Sequence, residues 1–168
     1  MNPYEDADLF AVVRDPYDRL LSEFYYICRR KISNWWDVVD CNRTRTHEAE
    51  YMNEWIQHKL QQVPTKAMSA QDLLNYNGHF TPQSHFLVSF PSQVRMVDYV
   101  LKMDNLSSEI TALMKAYGGW AMMPSHKKNA ARNETHDLEA RHFDAKTLSL
   151  FQERYGHDVD ILNDGMLR

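Results

Sequence analysis

Residues 9–26, LFAVVRDPYDRLLSEFYY, constrain the fold more tightly than any other stretch of the chain. Leu9, Phe10, Ala11, Val12 and Val13 are apolar without alternation and bounded by charge, the pattern of a strand buried on both faces of a parallel sheet. Arg-Asp-Pro ends that run. Asp15 is placed to cap a following helix, and Pro16 to occupy its first turn, where no amide hydrogen is missed. Tyr17, Leu20, Leu21, Phe24, Ile27 and Cys28 then recur at helical spacing and predict a core-facing stripe, while Arg19 and Ser22, three residues apart, share another face. Arg14 stands at the carboxyl end of the strand, the edge at which open α/β sheets place their ligands. A strand-tip guanidinium followed by a helix hydroxyl is suited to gripping one phosphate monoester. An ordinary strand–proline–helix joint with a salt bridge uses the same residues.

R-D-P-x-x-R-x-x-S followed by aromatics resembles the 3′-phosphate-binding segment of sulfotransferases that use PAPS (3′-phosphoadenosine 5′-phosphosulfate). The wording RDPYDRLLSEFYY is most similar to the Golgi carbohydrate sulfotransferases, including the heparan sulfate 2-O and 6-O types and the chondroitin/HNK-1 type. The resemblance implies that Arg14 and Ser22 hold the 3′-phosphate of PAPS as co-substrate, and that Arg19 braces the turn by pairing with Asp15. Further on, His79-x-x-Pro82-Gln83 resembles the H-x-x-P-Q segment of the chondroitin and HNK-1 types. Val97 to Gly118 resembles the family's late strand, turn and helix ending in Gly, with Asp104 where relatives usually carry Glu. MPSHKKN resembles a Leu-Pro-x-x-Asn loop that folds over the nucleotide, which would bring Lys128 and Asn129 to it; a solvated basic turn accounts for them as well. Thr147 to Leu162 resembles the closing helix with its Tyr-x-x-Asp ending, here Tyr155 and Asp158.

The fold implied is α/β: a helix-rich, P-loop-like sulfotransferase fold with a small parallel sheet, truncated at its N-terminus. Strands are expected at 9–13 and 97–103, and helices at about 16–31, 46–61, 105–117 and 145–155. Relatives cradle the 5′-phosphosulfate in an earlier Gly/Ser/Thr-rich loop that leads into a helix, much as a P-loop does. No such loop is legible in this sequence, whose five glycines are scattered. The expectation is therefore a chain that starts inside the domain and is inactive alone, with the catalytic base of the heparan types missing too. A degenerate, non-catalytic interaction module is the alternative, as is a sulfotransferase for a non-carbohydrate acceptor. A kinase-like phosphoryl transferase lacks its Walker-type loop.

At 168 residues the chain can bury a real core and reads as one domain, 1–168. A net charge of −4 supplies no basic field for nucleic acid. A glycan or other hydroxyl acceptor would then need a local patch: Arg29, Arg30 and Lys31, with Arg43 and Arg45 downstream, offer one, or simply complement a helix dipole. Cys28 and Cys41 are either bridged in an oxidising lumen or buried thiols. Sequons at Asn42, Asn105 and Asn133 exceed the roughly one expected by chance among about ten asparagines and lean toward the secretory pathway. No apolar run approaches the ~20 residues of a membrane span, so this segment is not expected to contact membrane. By resemblance the location is the Golgi lumen with an anchor upstream, or the cytoplasm for a bacterial or cytosolic relative.

Residues 32–93 read as a helical insertion lining the acceptor cleft. Tyr51, Met52, Trp55, Ile56 and Leu60 recur at helical steps, with Thr46 as cap and Pro64 as stop. Ser69 to Tyr76 forms a second short helix, ended at Asn77-Gly78 by a left-handed turn. Trp35 and Trp36 are suited to stacking on sugar rings, or to core contacts. His79, after a glycine and before Pro82, is the candidate catalytic residue: a neutral imidazole there can take the acceptor hydroxyl's proton. The competing role is a ring bonded to a backbone carbonyl that fixes the loop. No metal site is expected, since His79 and His85 lack further ligands at suitable spacing.

Overall fold

The computed structural model describes residues 6–29, 43–63, 78–89, 92, 94–119 and 137–163. Arg30, Lys31, Trp35, Trp36, Cys41, the helix expected over 69–76, and the Lys128–Asn129 loop fall outside them.

Three helices make the main core. The first, α1 (Pro16–Arg29), begins as its sequence predicts: Asp15 Oδ1 accepts the amides of Tyr17 at 2.9 Å and Asp18 at 3.0 Å. Helix α2 (Ala49–Gln62) starts later than expected, and Thr46 is not its cap. A single 3-10 turn, Arg43–Arg45, precedes it; the Arg45 carbonyl accepts the Glu48 amide at 2.9 Å, so the chain enters the helix from an extended Glu48. The last helix, α5 (Ala145–Asn163), runs well past the predicted end at 155. Gly156 in its interior costs about 1 kcal/mol against alanine. Burial of Tyr155, Asp158 and Ile161, at three-residue steps, outweighs that cost. Leu20, Leu21, Phe24 and Cys28 of α1 meet Met52, Trp55, Ile56 and Leu60 of α2 and Phe151 and Tyr155 of α5. Phe24 stands edge-on to Trp55 with centroids 5.3 Å apart, and Tyr17 stacks on Phe151 at 3.9 Å. Each such side chain, fully buried, contributes roughly 1.5–3 kcal/mol. Cys28 is in a disulfide; the chain's one other cysteine is Cys41.

Strand β1 (Phe10–Val13) pairs in parallel with β2 (Tyr99–Lys102), Phe10 opposite Tyr99 and Val13 opposite Lys102. The Leu9 carbonyl accepts the amides of Asp98 and Tyr99, and the Leu9 amide donates to Asp98 Oδ2 at 2.7 Å, which pins the register. Burial on both faces is not what the described residues form. Val13 packs with Leu87 and Ile161, whereas Phe10 and Val12 are 52% and 41% exposed. Leu87 belongs to a one-turn helix, α3 (Ser84–Leu87), and Ile161 to the end of α5; together they cover one side of a sheet that has two strands among the described residues.

After β2 a 3-10 turn, Met103–Asn105, leads into α4 (Leu106–Ala116). This helix ends in glycine as the sequence predicts. Gly118 has φ +70°, its amide donates to the Lys115 carbonyl at 3.0 Å, and the Gly119 amide donates to the Met114 carbonyl at 2.8 Å. These are the two bonds of a left-handed helix terminus.

A Cβ at Gly118 would meet nothing within 4 Å, so Gly118→Ala tests the backbone alone. It is expected to cost about 1–2 kcal/mol in urea unfolding; an unchanged midpoint would refute the left-handed terminus. His85 on α3 generates a second expectation. Burial lowers its pKa from the ordinary 6.5, with the Asp158 carboxylate partly offsetting this and His157 adding to it. The unfolded chain then takes up a proton more readily than the folded one. Stability is therefore full above about pH 6.5 and declines as pH falls below it. Urea titrations at two pH values straddling that point should show the decline, and His85→Gln should flatten it.

Candidate active site

The segment GHFTPQSHFL, residues 78–87, is held by its backbone from three directions. From α1, the Arg19 guanidinium donates through Nη1 to the Thr81 carbonyl at 2.7 Å and through Nη2 to the His79 carbonyl at 3.0 Å. From α5, the Tyr155 hydroxyl donates to the Phe80 carbonyl at 2.7 Å. One turn further along the same helix, Asp158 accepts the amides of Gln83 at 2.7 Å and Ser84 at 2.8 Å on its two oxygens. That carboxylate is only 2% exposed, and the paired amides compensate its desolvation. The Tyr-x-x-Asp ending thus acts as a two-point clamp, its members one helical turn apart on one face.

The third direction is the strand tip. The Gln83 side-chain amide accepts the Arg14 N–H on Oε1 at 2.9 Å and donates from Nε2 to the Arg14 carbonyl at 2.8 Å. One side chain thereby satisfies both backbone groups of the residue that follows β1, as a neighbouring strand would. The guanidinium of Arg14, half-buried, engages no carboxylate, carbonyl or hydroxyl among the described residues. The Ser22 hydroxyl, also half-buried and two turns into α1, is likewise without a partner there.

Arg19 does not pair with Asp15, which is occupied by the helix cap; it bonds the carbonyls of the 79–81 turn instead. Arg19, Ser22, Glu23 and Tyr26 fall within an arc of about 100° on α1. His79, in the 3-10 turn Gly78–Phe80, lies over this arc. Its Nδ1 is 2.9 Å from Glu23 Oε2, and its ring lies nearly parallel to Tyr26, with centroids 6.1 Å apart. The ring is thus bonded to a carboxylate, and it is the His79 carbonyl, through Arg19, that fixes the loop.

Lys128 and Asn129 are outside the described residues, so the nucleotide-side loop is not part of this geometry. Arg45, in the basic patch expected downstream of α1, pairs with Glu48 at 2.7 Å and sits 4.9 Å over the Tyr51 ring. The hydrogen bond to Glu48 raises its pKa, and the guanidinium serves the entry to α2. Among the described residues no cluster of His, Cys, Asp or Glu is arranged to hold a metal ion. Glu23 was not singled out by the sequence. Its position four residues after Arg19 was the available signal, since both then face whatever loop crosses the helix.

Residues 4–163 match the family model described as the sulfotransferase family. No curated protein and no solved structure matches the chain. The match takes in the strand tip, α1, the 79–84 segment and the clamp on α5, and with them on one continuous span the chain belongs to the sulfotransferase family.

Proposed function

We propose that the chain transfers a sulfuryl group from PAPS to a hydroxyl of a carbohydrate acceptor, with Arg14 and Ser22 on the 3′-phosphate and His79 as proton acceptor. The observation that carries this reading is the half-buried Arg14 guanidinium, which has no partner among the described residues although its backbone is fixed on both sides by Gln83. A positive group held in place and left unpaired is suited to an anion, and a guanidinium fork to a phosphate oxygen pair. Arg19 is not part of that grip in this reading; it holds the 79–81 turn. In the same reading Lys128 and Asn129 contact the nucleotide, and no metal takes part.

In the reaction a hydroxyl oxygen attacks sulfur in line while the 5′-phosphate oxygen leaves. The chain's contribution is positioning and placement of donors where charge grows. In the same reading residues 32–93 line the acceptor cleft, while α2 within them turns its apolar side to the core. The location in this reading is the Golgi lumen; the disulfide at Cys28 and the exposed sequon residue Asn105 suit an oxidising secretory compartment in general. Among the described residues no helix is long and apolar enough to cross a membrane.

Titration calorimetry with PAP, the desulfated product of PAPS, tests the assignment. Arg14→Ala is expected to weaken PAP binding about 10- to 100-fold, the worth of one or two charge-assisted hydrogen bonds. The unfolding midpoint should stay near that of the wild type, because Gln83 bonds the backbone and not the side chain. Equal affinity of the wild type for PAP and for AMP would contradict the reading.

A further inference from the structure

We propose that Glu23 is a positioning residue that fixes the His79 imidazole in the tautomer whose Nε2 accepts the proton of the attacking hydroxyl; the proposal rests on the sulfotransferase reading of the site given above. An ionised carboxylate can only accept a hydrogen bond. With Glu23 Oε2 at 2.9 Å from Nδ1, the hydrogen of the neutral ring belongs on Nδ1 and the lone pair on Nε2. Nε2 has no partner among the described residues. The exposures agree with this orientation: the imidazole side chain is 42% exposed and the carboxylate behind it 19%. The ring is also held against rotation. Tyr26 lies nearly parallel to it at 6.1 Å, and the His79 carbonyl is bonded to Arg19, so three residues from one arc of α1 fix a single residue of the facing turn.

The proton and electron movements balance. The acceptor O–H gives its proton to Nε2, its oxygen pair forms the new O–S bond, and the bond from sulfur to the 5′-phosphate oxygen breaks with its electrons on the departing nucleotide. The imidazolium so formed lies against the Glu23 carboxylate, which stabilises it at the moment of transfer.

Long-range nitrogen–proton correlation spectra of the neutral ring give a readout that a merely structural role would not move. In the wild type the His79 ring hydrogen is expected on Nδ1. In Glu23→Ala it should relax toward Nε2. Turnover from PAPS to chemically desulfated chondroitin should fall about 10²-fold in Glu23→Ala, with affinity for PAP unchanged. A wild-type ring hydrogen on Nε2 overturns the proposal, and it does so even if Glu23→Ala fails to fold. So does an unaltered tautomer or turnover in a folded Glu23→Ala. A wild type that binds PAP yet transfers nothing to the chondroitin probe removes the proton-acceptor role and leaves the nucleotide site standing. Failure of the wild type to bind PAP removes the reading on which both depend.

Discussion

Six residues of backbone, His79 to Ser84, are held to the helical core by side chains far away in sequence, and one of the six, Gln83, carries the tie on to the sheet through its own side chain. A buried peptide group left unpaired costs more than a paired one returns, so such a turn persists only where each carbonyl and amide finds a partner. Here Arg19, Tyr155 and Asp158 supply such partners from side chains. Pro82 carries no amide hydrogen to satisfy, which shortens the list by one. The site inherits its geometry from this arrangement: the same bonds that place the turn also place the His79 ring over α1 and the Arg14 backbone at the sheet tip.

The division of labour among the arginines follows from burial and reach. Arg19 faces a turn whose carbonyls need donors, and a guanidinium offers several in a rigid fork. Arg45 is engaged by Glu48 and by a tyrosine face. Arg14 differs from both. Its backbone groups are consumed and its side chain, among the described residues, is not, which is the condition the proposed anion grip requires.

Legibility in the sequence varied with the range of the interactions involved. Asp15 as cap, Pro16 in the first turn, the apolar stripe of α1 and the glycine end of α4 were all readable, because each rests on contacts within a few residues. The depth of β1 was not. An unbroken apolar run signals burial on two faces, but how many elements cover a strand is a tertiary fact, and here Phe10 and Val12 face outward among the described residues. The start of α2 was misplaced because Thr46 is a good cap in isolation, and the 3-10 turn at Arg43–Arg45 took its place. The helix expected over 145–155 continues to Asn163 because Tyr155, Asp158 and Ile161 are buried beyond that point, the stretch the resemblance of Thr147 to Leu162 covered. The Tyr-x-x-Asp ending was visible as a motif, yet its purpose depends on a segment some seventy residues upstream. Glu23 escaped notice for the same reason: its spacing from Arg19 marks a shared face of α1, but the histidine turn that crosses that face lies 56 residues on.

Gln83 lets a two-stranded sheet behave, at one point, as though it had a third rung. The rung is delivered by a side chain, so the main chain of Arg14 is immobilised without any strand being lengthened. Ordering an arginine around a ligand ordinarily freezes both a backbone and a long side chain. With the former already frozen, only the rotamers remain to be restricted, at about 0.5–1.5 kcal/mol. A glutamine shortened by one methylene would forfeit that saving, and the entropy of a loosened strand tip would return at each encounter with an anion.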